Sequence, residues 1–181
     1  MLVCVILGMG LPTTAAYVLA ASVLAPALIK MGLPIMIAHL FVFYFSTLAT
    51  ITPPVCAAVF LSSGIAGANW IKTGGLSVLL ALPAFVVPYT FAYNQELLLI
   101  GEPLGVAISV ITAILGVSAI GMAIAGYISK PLNYFYRTIF LACGILLMIP
   151  NFIISMVGLI IGVAVYIINC GVLKKKSMME A

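Results

Sequence analysis

The chain has 181 residues, of which 66% are hydrophobic and only 6% are charged, and its net charge is +4. Soluble domains carry about 25% charged residues, so this composition excludes a soluble globular protein. Together with a mean hydropathy of +1.40, it predicts an integral membrane protein.

Long stretches without Asp, Glu, Lys or Arg indicate where the chain meets the membrane. A helix needs about 20 apolar residues to cross a bilayer, and the charge-free stretches are 1–29, 31–71, 73–95, 103–129 and 138–173. Their pattern is not the alternation of apolar and polar residues that is typical of a membrane β-barrel. We therefore expect an all-α membrane protein, a polytopic helical bundle in which some helices are broken.

The first break is predicted at Gly8 to Tyr17, the segment GMGLPTTAAY. Irregular backbone inside a bilayer is tolerated only where protein buries it or where it lines a wet cavity, so this segment is a candidate ion or solute site. The alternative is a plain kink or an interfacial loop. Because only seven residues precede the glycines, we also expect the sequence to be a fragment of a longer protein.

The helical run that follows, Ala15 to Ile29, is short for a membrane crossing. At 1.5 Å per residue it rises about 22 Å, less than the roughly 30 Å of the hydrocarbon core. Residues 1–29 are therefore predicted to form a re-entrant hairpin with its tip at Gly8 to Thr14. Lys30, Gly32 and Pro34 predict an exposed turn after it.

A second break is predicted inside the apolar run 34–66, which is too long for one crossing. Two adjacent prolines in the segment Thr50 to Pro54 remove two backbone donors and free the carbonyls near Ala49 and Thr50. A discontinuous helix presents such carbonyls to cations, and the N–H groups of its other half to anionic groups.

The remaining elements follow from charge and turn signals. Gly67 to Gly75, with Asn69, Trp70 and Lys72, is predicted to be an interfacial loop. The further spans are expected at 76–93, at 103–128 with Pro103 in the first turn, at 132–149 and at 152–173. If the tail Lys174 to Lys176 is cytoplasmic, the other basic loops also face the cytoplasm, with Lys30 as the exception.

Four threonines flank the two breaks and supply hard oxygen ligands. We predict Na⁺ near Thr13, Thr14, Thr50 and Thr52. The alternative is that these hydroxyls donate to carbonyls of their own helices, which requires no ion. The candidate substrate- and ion-binding residues are Gly8, Gly10, Pro12, Thr13, Thr14, Thr50, Thr52, Pro53 and Pro54.

The histidine, two serines, two glycines and the cysteines give weaker indications of function. His39 is the single histidine and lies inside a span; we favour a neutral imidazole bonded to a neighbouring helix over a proton relay, which needs a chain of ionisable groups. Ser62 and Ser63 fit solute contact or helix packing equally well. Gly158 and Gly162 form a GxxxG pattern and predict close packing. The cysteines, all in apolar surroundings, are predicted to be small buried side chains: Cys4, Cys56, Cys143 and Cys170.

No enzyme is predicted. Glu96 and Glu102 fall in one predicted external loop, and no pair of nucleophile and base emerges within the membrane. A channel is disfavoured, because neither a ring of charges nor a filter-like run of carbonyls is visible.

The segments GMGLPTTAAYVLAASVLAPALI, AHLFVFYFSTLATITPPVCAAVF and SGIAGANWIKTG, in this order, resemble the C-terminal half of the large membrane subunit of TRAP transporters, the tripartite ATP-independent periplasmic transporters. The similarity is greatest to fused permeases of the TAXI branch, in which the small and large subunits form one chain. The resemblance implies two parts of the chain: a second-repeat transport core, residues 1–92, and accessory C-terminal helices with a basic tail, residues 93–181. The core comprises hairpin 1–29, broken helix 34–66 and span 76–93.

The resemblance implies an elevator-type secondary transporter of the inner membrane that imports an organic solute, often a carboxylate, with a Na⁺ or H⁺ gradient. Its implied partners are a periplasmic binding protein, the missing N-terminal half or small subunit, and the lipid bilayer, with no nucleic acid and no cofactor. In many large subunits outside the TAXI branch an acidic residue precedes the paired threonines, and here Pro12 stands in its place. A chain of this length lacks the first repeat, so alone it should not transport. The rival hypothesis is a non-transporting scaffold or assembly subunit.

Overall fold

The computed structural model describes residues 1–128, 132–149 and 151–177. For residue 152 and for residues 168–177 it describes the backbone alone. Within these ranges the regular elements are helices and no strand occurs, so the prediction of an all-α protein is confirmed. Three of the helices there are long and apolar enough to cross a membrane: Thr13–Lys30, Trp70–Tyr93 and Pro103–Ala125. The first of them extends beyond the predicted run Ala15 to Ile29 at both ends, so the expectation that this run is short for a crossing is wrong. The chain divides into two compact units, residues 1–93 and residues 94–181.

The first unit contains five α-helices. They are α1 (Leu2–Gly8), α2 (Thr13–Lys30), α3 (Ile35–Leu48), α4 (Ala57–Ile65) and α5 (Trp70–Tyr93). Prolines mark two of the starts, because Pro12 and Pro34 occupy the N-cap positions of α2 and α3 in an extended conformation. Proline fixes φ near −65° and has no N–H to satisfy there.

Small and aromatic side chains make the core of this unit. The buried face of α2 consists of Ala16, Ala20, Ala21 and Ala25, and such small residues let helices approach closely in a membrane protein. Helix α3 packs against α2 and also against α5. On the α5 side, Phe41 and Phe45 meet Tyr89 edge to face, with ring centroids 5.4 and 5.9 Å apart.

The start of α5 differs from the prediction. The interfacial loop predicted over residues 67–75 is wrong from Trp70 onward, because α5 begins there. The physical reason is a cap that the sequence reading did not use: the side-chain oxygen of Asn69 accepts hydrogen bonds from the backbone N–H groups of Ile71 (3.1 Å) and Lys72 (3.2 Å). An asparagine in this position satisfies donors that the first helical turn leaves free.

The second unit contains a 3₁₀ turn at Gln95–Leu98 and the helices α6 (Pro103–Ala125), α7 (Tyr134–Met148) and α8 (Phe152–Ser177). Pro103 stands in the first turn of α6, as predicted. Helix α7 has 15 residues and is thus shorter than the roughly 20 that a crossing needs. Helix α8 continues through the three lysines that we predicted to be a tail, since lysine is a good helix former and suits a helix C-terminus.

Glycines bring α6, α7 and α8 together. A Cβ on Gly144 would lie 2.8 Å from the Gly116 carbonyl oxygen, and one on Gly116 would lie 3.0 Å from the Gly144 oxygen, so the backbones of α6 and α7 touch. On α8, a Cβ on Gly158 would meet the Leu146 Cβ at 3.1 Å, whereas one on Gly162 would be 3.8 Å from the nearest side-chain atom. The close packing predicted from the GxxxG pattern is confirmed at Gly158.

Candidate functional site

The first break is a short bend between α1 and α2. The break predicted at Gly8 to Tyr17 is wrong from Thr13 onward, because Pro12 occupies the N-cap position of α2, which begins at Thr13. Gly8 ends α1 and is buried, while Gly10 adopts a φ of +77°, the left-handed region that favours glycine. The Pro12 carbonyl then accepts the first bond of α2, from the Ala16 N–H at 2.9 Å. The N–H groups of the first α2 turn have no acceptor within their helix and carry its positive dipole end.

The second break interrupts the helix that begins at Ile35. Helix α3 ends at Leu48, a 3₁₀ turn covers Ala49–Ile51, and α4 starts at Ala57. The Pro53-Pro54 peptide bond is cis, and Cys56 has a φ of +34°. Neither proline has an N–H to donate, so the i to i−4 pattern cannot continue through them. The run over 34–66 is thus two helices joined by irregular backbone.

The two breaks lie against each other. A Cβ placed on Gly8 would be 2.9 Å from the Cβ of Ala49, and one on Gly10 would be 3.3 Å from a methyl group of Val55. The end of α1 therefore packs on the 3₁₀ turn of the second break, and the bend after it reaches the segment that follows the two prolines. Segments that are about 40 residues apart in sequence form one local arrangement.

The hydroxyl groups of the second break donate to the last carbonyls of α3, the helix that precedes them. Thr50 Oγ1 donates to the Thr47 carbonyl at 2.8 Å, and Thr52 Oγ1 donates to the Leu48 carbonyl at 2.7 Å. This is the alternative that we weighed for the threonines. Each hydroxyl oxygen keeps lone pairs that are able to accept a second partner, so these bonds leave the Na⁺ prediction untested.

The remaining predicted residues are on the surface of the first unit. Pro12, Thr13 and Thr14 are exposed at the start of α2, and Pro53 and Pro54 are exposed in the second break. The structure thus brings Gly8 and Gly10 against the second break and leaves the hydroxyl groups of α2 accessible. Binding by any of these residues stays a prediction.

The sequence reading missed the contribution of α5 to the second break. A Cβ on Gly74 would lie 3.3 Å from Cγ of Pro53 and 3.4 Å from Sγ of Cys56, and Ser77 Oγ donates to the Ile51 carbonyl at 3.1 Å. The available signal was the spacing of small residues, since Gly74 and Ser77 are three apart and share a helix face.

His39 joins α3 to α2. Its Nδ1 lies 2.9 Å from the Tyr17 hydroxyl, which corresponds to the interpretation that we favoured, an imidazole bonded to a neighbouring helix.

Ser62 and Ser63 donate to carbonyls of their own helix α4, those of Val59 and Phe60. Cys4, Cys56 and Cys143 are free and buried, as predicted, whereas the side chain of Cys170 lies outside the described residues. In the described part of the chain, no three His, Cys, Asp or Glu side chains form a metal-binding group.

Part of the chain is similar to a known protein family. Residues 1–102 match the family described as "Tripartite ATP-independent periplasmic transporter, DctM component". Neither the curated proteins nor the solved structures contain a match to this chain. The matched residues contain both breaks and all of α5, and they are more than half of the chain. The chain therefore belongs to the DctM family of tripartite ATP-independent periplasmic transporters, and it is a component of a transporter permease.

Proposed function

We propose that this chain supplies half of the ion and solute site of a TRAP permease that imports an organic solute, a carboxylate, with a Na⁺ or H⁺ gradient. One observation supports this most directly: the first helix break packs on the second, with Gly8 against Ala49 and Gly10 against Val55. Transporters bind ions and solutes at such discontinuous helices.

The chemical groups at the two breaks suit a cation and an anion. The carbonyl end of α3 and the oxygen atoms of Thr50 and Thr52 are hard ligands of the kind that Na⁺ prefers. The start of α2 offers backbone N–H groups and a positive dipole end, with Thr13 and Thr14 exposed beside them. A carboxylate solute at α2 and a cation at the second break would neutralise each other without a charged side chain.

The proposal includes the architecture that the family resemblance implies. Residues 1–29 are the re-entrant hairpin of the second repeat in an elevator-type transporter. Residues 93–181 are accessory helices of a TAXI-type fused permease. Two findings support this division, because the family match stops at residue 102 and the first compact unit stops at residue 93.

The partners follow from the same proposal. The chain is the C-terminal part of the permease, and the opposing half of the site belongs to a first repeat. A periplasmic binding protein delivers the solute. The permease lies in the inner membrane with its C-terminus in the cytoplasm, which the lysines Lys174, Lys175 and Lys176 support by the positive-inside rule.

Uptake into proteoliposomes tests this function. The full-length permease that contains this chain is reconstituted with its binding protein, and a panel of radiolabelled carboxylates is offered under an inward Na⁺ gradient, under a pH gradient, or under neither. We expect accumulation of at least one carboxylate that depends on one gradient and on the binding protein. Absence of accumulation under both gradients, with the protein correctly inserted, would instead favour the scaffold or assembly subunit.

A further inference from the structure

Helix α5 forms a wall of the second break. Its backbone at Gly74 lies so close to the break that an added Cβ would be 3.3 Å from Pro53 and 3.4 Å from the Cys56 sulfur. Cys56 itself is fully buried. One turn further along α5, this close approach places Ser77 within hydrogen-bond distance of the irregular backbone.

The Ser77 hydroxyl has one hydrogen and two acceptors. Its Oγ is 2.8 Å from the Gly74 carbonyl oxygen within α5, and 3.1 Å from the Ile51 carbonyl oxygen in the second break. A serine hydroxyl donates a single hydrogen, so the two carbonyls share it. The bond within the helix is the shorter one, which makes the bond to Ile51 the easier to give up.

A cation that binds the Ile51 carbonyl meets this hydroxyl hydrogen at the same oxygen. The carbonyl oxygen has lone pairs for both, but the hydrogen carries a partial positive charge, so the cation and the hydrogen repel each other when they share the oxygen. If the hydroxyl turns fully toward Gly74, it keeps a partner and no buried donor is left unsatisfied, which avoids the usual penalty for breaking a buried bond. Release of the Ile51 carbonyl by the Ser77 hydroxyl therefore costs little free energy. A cation is then able to take the place of the hydroxyl hydrogen at that oxygen.

We infer that Ser77 competes with Na⁺ for the Ile51 carbonyl and thereby sets the Na⁺ affinity of the second break. The inference rests on the proposed function, because that function assigns oxygen atoms of Thr50 and Thr52 to a cation, and Ile51 lies between these two residues at the end of the 3₁₀ turn. It adds a residue of α5 that sets affinity without being a ligand. Removal of the hydroxyl should therefore tighten Na⁺ binding, the reverse of what loss of a ligand or loosening of the site produces.

The Ser77→Ala variant of the full-length permease tests this in the proteoliposome assay. We expect the Na⁺ concentration for half-maximal uptake to fall about threefold, which corresponds to the loss of one net hydrogen bond that is shared between two acceptors. The Ser77→Thr variant keeps the hydroxyl and should retain the wild-type value. The matched control is Ser118→Ala on α6, since Ser118 donates only within its own helix, to Ile114 at 2.7 Å.

Each outcome decides between defined alternatives. A half-maximal Na⁺ concentration that rises or stays unchanged in Ser77→Ala overturns the inference. If that variant does not fold, Ser77→Cys serves instead, because a thiol is a weaker donor of similar shape, and the same downward shift is expected. Wild-type uptake that follows a pH gradient and ignores Na⁺ overturns the inference but keeps the proposed function. Wild-type uptake that depends on neither gradient overturns both the inference and the proposed function.

Discussion

Gly8 ends α1 so close to Ala49 that a methyl group added at Gly8 would stand 2.9 Å from the Ala49 side chain. Carbon atoms in optimal contact are about 3.5–4.0 Å apart, so this position admits glycine and nothing larger without a shift of the backbone. The contact joins the two helix breaks of the first unit. The geometry of each break therefore depends on the other.

We predict that Gly8→Ala destabilises the protein by about 1–3 kcal/mol, the usual effect of overpacking a tight contact. Gly64→Ala is the matched control. Gly64 lies in the last turn of α4 with nothing within 4 Å of an added Cβ, and alanine there should be neutral or stabilise by up to about 1 kcal/mol through helix propensity. Thermal unfolding in detergent measures the stability of both variants. Equal melting temperatures for the two variants would show that the breaks do not pack as described.

This contact also shows what the sequence was able to predict. Glycine and proline disrupt helices through local backbone chemistry, so both breaks were visible in the sequence, although the first ends at Pro12 and not at the predicted Tyr17. Their mutual packing was not, because a pattern of small residues does not specify which surface it touches. Ser77 was missed for the same reason, since its bond to Ile51 spans 26 residues.

Local capping was predictable in principle and was overlooked. Asn69 is a strong N-cap residue, and its side chain starts α5 where a loop was predicted. The roles of the threonines show a different limit. Thr50 and Thr52 donate to the last carbonyls of the preceding helix α3, yet the same oxygens are able to face an ion, so residue type alone does not separate the two interpretations.

The next prediction concerns the exposed hydroxyls of α2. Replacing both Thr13 and Thr14 with Ala should weaken cation-dependent uptake by the full-length permease without abolishing its insertion. Because both side chains are exposed, we expect a change in unfolding free energy of at most about 0.5 kcal/mol. Uptake is measured at a limiting Na⁺ or H⁺ gradient, with Thr138→Ala on the exposed surface of α7 as control. Uptake equal to wild type at that limiting gradient contradicts the assignment of these threonines to the site.

A third prediction separates two carboxylates that seemed equivalent in the sequence. Glu96 Oε2 accepts the Ser109 hydroxyl at 2.5 Å, and its other oxygen lies so close to the first turn of α6 that a Cβ on Gly105 would be 2.5 Å away. Ser109 also accepts from the Asn94 side chain at 3.0 Å. Glu96 is thus a partly buried anion against a helix N-terminus, whereas Glu102 is exposed.

Glu96→Gln should therefore lower the unfolding free energy by about 1–2 kcal/mol, because it loses a charge-assisted hydrogen bond and the dipole interaction. Glu102→Gln should change it by less than about 1 kcal/mol, since only an exposed charge near the same helix end is lost. Denaturation of both variants in the same detergent gives the comparison. A larger loss for Glu102→Gln than for Glu96→Gln would contradict the described network.

The last prediction concerns the end of α6. Arg137, in the first turn of α7, donates from Nε to the Ala123 carbonyl and from a terminal nitrogen to the Ile124 carbonyl, both at 2.8 Å. Its guanidinium lies where a Cβ on Gly126 would stand, 2.8 Å from Cζ. The planar fork satisfies two carbonyls that the final helical turn leaves free, and its charge suits the negative end of the helix.

Arg137→Ala should release the last turn of α6, at a cost of about 1–3 kcal/mol for two charge-assisted bonds. The cost for Arg137→Lys should lie between zero and the cost for Arg137→Ala, because a lysine keeps the charge but lacks the fork that reaches both carbonyls together. Hydrogen exchange of the backbone amides near the C-terminus of α6 reports this directly. The neighbouring variant Thr138→Ala, which loses only a bond within α7, should leave those amides protected. If the lysine variant protected them as fully as arginine does, charge alone would account for the cap, and the bidentate geometry would have no energetic role.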